Sequence, residues 1–73
     1  MVDYCKGRYD VRTPEGDYIG RIDGDEFVRN GKSLLYRIDG DEFYEIGGRF
    51  IGTIEDGVVR GTQAQAKFVI TAE

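Results

Sequence analysis

The sequence predicts an all-β fold: a closed, shallow barrel or ring of about four β-hairpin repeats of sixteen residues, with the N- and C-terminal strands pairing to shut it. Three observations carry this. The heptapeptide Arg21-Ile22-Asp23-Gly24-Asp25-Glu26-Phe27 recurs unchanged, sixteen residues on, as Arg37-Ile38-Asp39-Gly40-Asp41-Glu42-Phe43. A looser copy, Thr53-Ile54-Glu55-Asp56-Gly57-Val58-Val59, follows at the same offset. Ile22, Ile38, Ile54 and Ile70 then fall in one column, so a single small unit is repeated along the chain.

Each unit reads as two strands and two turns. The first strands are Tyr18 to Ile22, Leu34 to Ile38 and Phe50 to Ile54, rich in the β-branched and aromatic residues that suit a pleated surface. Turns follow at Asp23-Gly24, Asp39-Gly40 and Asp56-Gly57, because glycine accepts positive φ and Asp bonds the local backbone. The second strands are Phe27 to Arg29, Phe43 to Ile46 and Val58 to Arg60, each leading to a second glycine turn at Asn30-Gly31, Gly47-Gly48 and Gly61. Eleven glycines would be costly inside helices.

The ends supply the topology. Ala66 to Thr71 matches a first strand with no second strand after it, and Tyr9 to Thr13 matches a second strand with Pro14-Glu15-Gly16 as its outgoing turn. Pairing the two halves completes a fourth hairpin and removes the exposed sheet edges. Tyr4-Cys5-Lys6-Gly7 reads as a further short strand and turn, which leaves the strand count open by one. Thr62 to Ala66 reads as a loop or one helical turn.

The aligned columns also give a core. Ile22, Ile38, Ile54 and Ile70 head it, joined by Val11, Phe27, Phe43 and Val59, by Ile19, Leu35 and Ile51 (Lys67 in the last copy), and by Tyr18, Leu34, Phe50 and Ala66. Phe27, Phe43 and Phe50 are the expected aromatic core.

Residues 1–73 make one domain, and a chain this short buries only about 60% of its unfolded surface. Small domains usually add a disulfide, a metal or self-association. Cys5 is the only cysteine and there is no histidine, so intramolecular disulfides, Cys/His zinc sites and histidine-based acid–base chemistry are excluded. Ring closure or homo-oligomerisation remains. Ten basic against fourteen acidic residues give a formal charge of −4, which argues against direct binding along a nucleic-acid backbone. No apolar run approaches the roughly 20 residues of a transmembrane helix. A lone thiol and an N-terminus without a signal-peptide core lead to the expectation of a cytoplasmic protein.

At Ile19-Gly20-Arg21-Ile22-Asp23-Gly24, and again at Ile51-Gly52-Thr53-Ile54-Glu55-Asp56-Gly57 with one extra acidic residue, the chain resembles the β-flower family of radially arranged hairpin repeats. The resemblance covers nearly the whole chain. It implies a shallow barrel of three to five hairpins whose shape is similar to that of phospholipid-binding tubby-like domains. The chain departs from the pattern where Tyr36 and Phe68 replace the mid-strand glycine of Gly20 and Gly52. Bulky residues there would fill the barrel centre or line a pocket.

Two clusters carry potential chemistry. The acidic turns, Asp23, Asp25, Glu26, Asp39, Asp41, Glu42, Glu55 and Asp56, would form one rim of a ring. Their spacing lacks the twelve-residue calcium-loop pattern, so the expectation is solvated turns or an acidic face for a basic partner protein, with no metal and no cofactor. The second cluster is arginine: seven of the ten basic residues. Arg21 and Arg37 are equivalent by the repeat and could hold a phosphate or carboxylate, or pair with neighbouring acids such as Glu26, Glu42 or Glu45. Grouped with Tyr36 and Tyr44 they make the candidate ligand-binding set. Cys5 lacks a base and is not expected to be a nucleophile.

These readings favour a non-catalytic binding module for a small anionic ligand, such as a nucleotide or phospholipid headgroup, or for a protein partner. Two alternatives stand beside it: a small acidic inhibitor of a host defence protein, of the kind viruses use, and a structural repeat scaffold without ligand.

Overall fold

Residues 3–73 are described by a computed structural model. Eight strands follow one another around a closed antiparallel barrel: β1 (Arg8–Arg12), β2 (Tyr18–Asp23), β3 (Phe27–Asn30), β4 (Ser33–Asp39), β5 (Glu42–Glu45), β6 (Phe50–Glu55), β7 (Val58–Arg60) and β8 (Ala66–Ala72). The seam closes as the split repeat requires. Val11 lies opposite Ile70 and Arg12 opposite Val69, so the terminal strands form the fourth hairpin. Tyr4–Lys6, expected as a further strand, is instead a 3₁₀ turn capped by the Asp3 side chain, which accepts from the Cys5 amide at 3.0 Å. Its Tyr4 ring plugs one end of the barrel, packed edge-on to Tyr9. Thr62 to Gln65 form the loop that leads into β8, without a helical turn, and Ala66 is the first residue of that strand.

Within each hairpin an isoleucine faces its partner across the ladder: Ile22 and Val28, Ile38 and Phe43, Ile54 and Val59, Ile70 and Val11. All eight are buried and, with Tyr4, they are the core. The isoleucine column is therefore as the repeat predicts, whereas the Phe27 position is corrected to Val28. Phe27 is half-buried on the outer wall, opposite Arg37. The two identical heptapeptides close their turns differently. Ile38 to Phe43 spans a two-residue turn at Gly40-Asp41, while Ile22 to Val28 spans one residue more.

Between hairpins, each ladder slips by one residue at Val11/Arg12, Val28/Arg29, Phe43/Tyr44 and Val59/Arg60. The residues passed over are Ile19, Leu35, Ile51 and Lys67. Such slips bend a strand and re-aim the residues beyond them. Tyr18, Leu34 and Phe50 are consequently turned outward and exposed, not buried as their columns suggest. Phe50 is the clearest correction, at 41% exposure.

Inside the barrel the four equivalent mid-strand positions alternate small and large: Gly20, Tyr36, Gly52, Phe68. Tyr36, Phe43 and Phe68 stack with ring centroids 5.0–5.4 Å apart and fill the interior. At Gly20 and Gly52 the neighbouring backbone closes in. A Cβ on Gly52 would lie 2.1 Å from the Arg60 carbonyl oxygen, and one on Gly20 would lie 2.6 Å from that of Arg29. Alternation of small and large inward residues is how small barrels fill their taper.

Candidate functional site

An up-and-down barrel has two ends, and the chain treats them differently. The turns that close β2–β3, β4–β5 and β6–β7 lie at one end, with the 3₁₀ plug, the start of β1 and the end of β8. The other four connections, β1–β2, β3–β4, β5–β6 and β7–β8, lie at the opposite end, and all but the short β3–β4 turn are longer.

The turn end is acidic. Asp23, Asp25 and Glu26 come from the first turn, Asp39, Asp41 and Glu42 from the second, and Glu55 and Asp56 from the third. Asp3 and Glu73 join them at the seam, so ten of the fourteen carboxylates occupy this end. Each turn leans on the next hairpin: the amides of Ile38, Ile54 and Ile70 donate to the carbonyls of Glu26 (2.8 Å), Asp41 (2.6 Å) and Gly57 (2.6 Å). Among the described residues no three carboxylate or thiol groups converge to hold a metal ion. The half-buried Cys5 sits inside this rim. Burial pushes its thiol pKa up, and Asp3, Glu26, Asp25 and Asp39 push it further, so the nucleophilic thiolate is disfavoured.

Most of the arginines run along the outer wall toward those acids. Arg8 reaches Asp23 at 3.1 Å, Arg37 reaches Glu26 at 3.5 Å, Arg21 reaches Glu73 at 3.5 Å, and Arg60 reaches Glu55 at 3.9 Å. Arg29 pairs with Asp25, and Arg12 lies 3.9 Å from Asp10. Arg21 and Arg29 face each other across β2 and β3, with both Nε atoms buried and unpartnered. Exposed pairs of this kind are individually weak, but they leave these cations locally neutralised.

The structure brings together half of the candidate ligand set expected from the repeat. Arg37 lies over the Tyr44 ring at 5.2 Å, and Tyr44 packs edge-on against Phe50. The Tyr44 hydroxyl donates to Glu42 at 3.1 Å, and that bond is the first cause of its raised pKa. Tyr36 is elsewhere, in the interior stack, because its strand position faces inward. Arg21 is two strands away from Arg37, tied to the chain end. Neither arginine lines the mouth of the barrel, because both alternate outward from their isoleucine neighbours.

The loop end is mixed: Glu15, Asp17 and Glu45 lie here, together with the cations that have no acidic partner. Lys32, Arg49 and Lys67 have no carboxylate within 4 Å among the described residues, and all three lie here: in the β3–β4 turn, just before β6, and at the start of β8. The large apolar side chains that remain exposed, Tyr18, Leu34, Ile46 and Phe50, are here too. Arg12 lies over Tyr18 at 5.4 Å. Three of the four loops share one geometry. The amides of Thr13, Glu45 and Gly61 donate to the carbonyls of Asp17, Arg49 and Gln65. Gly16, Gly48 and Ala64 take the left-handed position in these loops, at φ 102°, 104° and 65°.

Reading columns by two-residue alternation hid this surface, since it assigned Tyr18, Leu34 and Phe50 to the core. A signal was present in the last copy, where the same two columns hold Ala66 and Lys67, residues suited to an exposed strand end.

No helix of the described residues is long and apolar enough to cross a membrane. Comparison of the chain with protein-family models, with curated proteins and with solved structures finds no match.

Proposed function

We propose that this protein is a non-catalytic binding module whose working surface is the loop end of the barrel, and that its ligand is anionic and amphipathic. The observation that supports this is the coincidence of two kinds of unsatisfied group. The cations without acidic partners and the exposed large apolar side chains occupy the same end of the molecule. An unpaired lysine or arginine retains its full attraction for a phosphate or carboxylate, whereas the wall arginines already spend theirs on Glu26, Asp25, Glu55 and Glu73. Exposed apolar groups rimmed by polar ones mark interaction sites. Tyr36, Phe43 and Phe68 fill the interior, so the ligand lies across the mouth and does not enter it. Membership of the β-flower family belongs to the same reading, as does a cytoplasmic setting.

The test is an amide chemical-shift titration with inorganic phosphate, ATP and a short-chain phosphatidylserine below its micelle concentration. Shifts at Lys32, Arg49, Phe50 and Lys67, lost in Lys32→Glu plus Arg49→Glu, are the expected result. Shifts confined to Arg21, Arg37 and Tyr44 would move the site to the wall. No shift with any probe would leave a scaffold without ligand as the better reading.

The acidic end supports a second reading, an inhibitor that covers a basic surface of a protein partner. The ten carboxylates gathered at that end favour it. Reversing Asp25, Asp41 and Asp56 to lysine should then abolish capture of that partner while the melting temperature holds. Retained capture would count against it.

A further inference from the structure

The loop end is not symmetric. Its apolar groups concentrate in the sector of β4, β5 and β6. Ile46 sits in the β5–β6 loop at 47% exposure, and its amide donates to the Leu35 carbonyl at 3.2 Å, which lays the loop against the start of β4 beside Leu34. Phe50 opens β6 on the other side of the same loop and packs on Tyr44. The cations flank this patch in sequence: Lys32 precedes Leu34 by two residues, and Arg49 precedes Phe50 by one. Glu45 is the carboxylate of this loop, exposed, with its backbone amide and carbonyl both engaged in the loop's own bonds.

We propose that this sector docks on the surface of a bilayer carrying anionic phospholipid. Ile46, Leu34 and Phe50 enter the headgroup boundary, and Lys32 and Arg49 contact phosphate and carboxylate groups. The inference rests on the loop end being the binding surface, and it names what presents the ligand. Three features select a lipid surface. Tyr36, Phe43 and Phe68 occupy the interior, so the contact is a face. That face pairs protruding apolar side chains with unpaired cations, the combination that interfacial binding requires. Ten of the fourteen carboxylates lie at the far end, against Glu15, Asp17 and Glu45 at this one. The barrel measures 31 × 25 × 24 Å, so the carboxylates at the far end stand well beyond the roughly 8 Å over which charges are felt at physiological salt.

The experiment is co-sedimentation of the full chain with phosphatidylcholine vesicles, with and without phosphatidylserine, across a salt series. Binding to the phosphatidylserine vesicles, weakening as salt rises, is expected from the unaltered protein. Lys32→Gln with Arg49→Gln should lower it about twenty-five-fold, at roughly fivefold for each cation removed. Ile46→Asp should abolish it at every salt concentration. The chain has no tryptophan, so Ile46→Trp supplies a single reporter whose emission should move to the blue on the anionic vesicles alone.

Equal binding to both vesicle types, or a salt-independent signal, overturns the proposal. So does self-association that Ile46→Asp abolishes, since the patch would then be an interface between copies. Binding of soluble anions at the loop end with no vesicle binding sinks the lipid surface but keeps the binding module. Failure of both sinks both.

Discussion

Gly52→Ala tests how the barrel is packed. Gly52 is buried on β6, where the β6–β7 ladder has three register pairs, and the Arg60 carbonyl lies directly over it. An added Cβ would stand 2.1 Å from that oxygen and 2.7 Å from its carbon. Both are backbone atoms, so no side chain can swing aside and β7 must retreat by about 1 Å to reach an ordinary carbon–oxygen contact. Overpacking of this kind costs about 1–3 kcal/mol, and a backbone clash belongs at the top of that range. Replacing glycine also restricts the unfolded chain, which returns about 0.5–1 kcal/mol. The net loss is about 2 kcal/mol. At roughly 0.05–0.15 kcal/mol per residue the whole domain holds about 4–11 kcal/mol, so the variant still folds at room temperature. Its melting temperature should fall by about 8–16 °C, at roughly 4–8 °C per kcal/mol for a domain of this size. The assay is a thermal melt by far-ultraviolet circular dichroism, with Gly47→Ala as control, since a Cβ there meets nothing within 4 Å. Gly20→Ala, facing a 2.6 Å approach, should fall between the two. If Gly52→Ala melts with the Gly47→Ala control, β7 does not pack against that glycine and the small–large alternation is not what fills the barrel.

The remaining predictions follow from single positions. Phe43→Ala should cost about 3–5 kcal/mol, because the ring is fully buried, while Phe27→Ala in the identical heptapeptide should cost about 1 kcal/mol or less. Urea midpoints measure both, and equal losses would refute the different turn registers. Ala64→Gly should stabilise by about 1 kcal/mol, since Ala64 holds a left-handed φ of 65° at a loop position where Gly16 and Gly48 stand in the sister loops. An unchanged melt would show the loop bears no strain. The Cys5 thiol should alkylate with iodoacetamide along a pH profile whose inflection lies above that of the urea-unfolded chain. The sign of its stability effect follows: the unfolded thiol loses its proton first, so stability is unaffected at lower pH and falls as pH rises from the unfolded toward the folded pKa. An inflection at or below the unfolded one would mean that the acidic rim does not reach Cys5.

How much of this was legible in the sequence depends on which interactions are local. The isoleucine column, the glycine turns and the seam between Tyr9–Thr13 and Ala66–Thr71 are fixed by period and turn chemistry, and the structure has them where the repeat places them. The acidic rim follows from the same topology, because alternate connections of an up-and-down barrel fall at one end and the Asp-Gly turns of the repeat are alternate ones. What alternation could not reveal is the one-residue slip at each hairpin junction, which turns Tyr18, Leu34 and Phe50 outward and creates the loop-end surface. Nor could it place Tyr36 and Tyr44, which lie on neighbouring strands and face the inside and the outside of the wall.

The divergence of the two heptapeptides has the same origin, in volume that lies elsewhere in the chain. Phe43 enters the core opposite Gly52, where there is room for a ring. The equivalent site on β3 lies opposite Tyr36. A second phenylalanine there would crowd one layer with Phe27, Tyr36, Phe43 and Phe68, whereas Val28 fits. One additional turn residue makes the exchange, and the turn absorbs it locally: the Asp25 side chain accepts from the Phe27 amide at 3.1 Å and pairs with Arg29. Arg29 has its counterpart sixteen residues on in Glu45, which could not make that ion pair. Seven identical residues thus take two registers because the residues they must pack against differ. Replacing Tyr36 with glycine would remove the crowding that keeps Phe27 out, which makes Tyr36, rather than any residue of the repeat itself, the position that decides the register of the first hairpin.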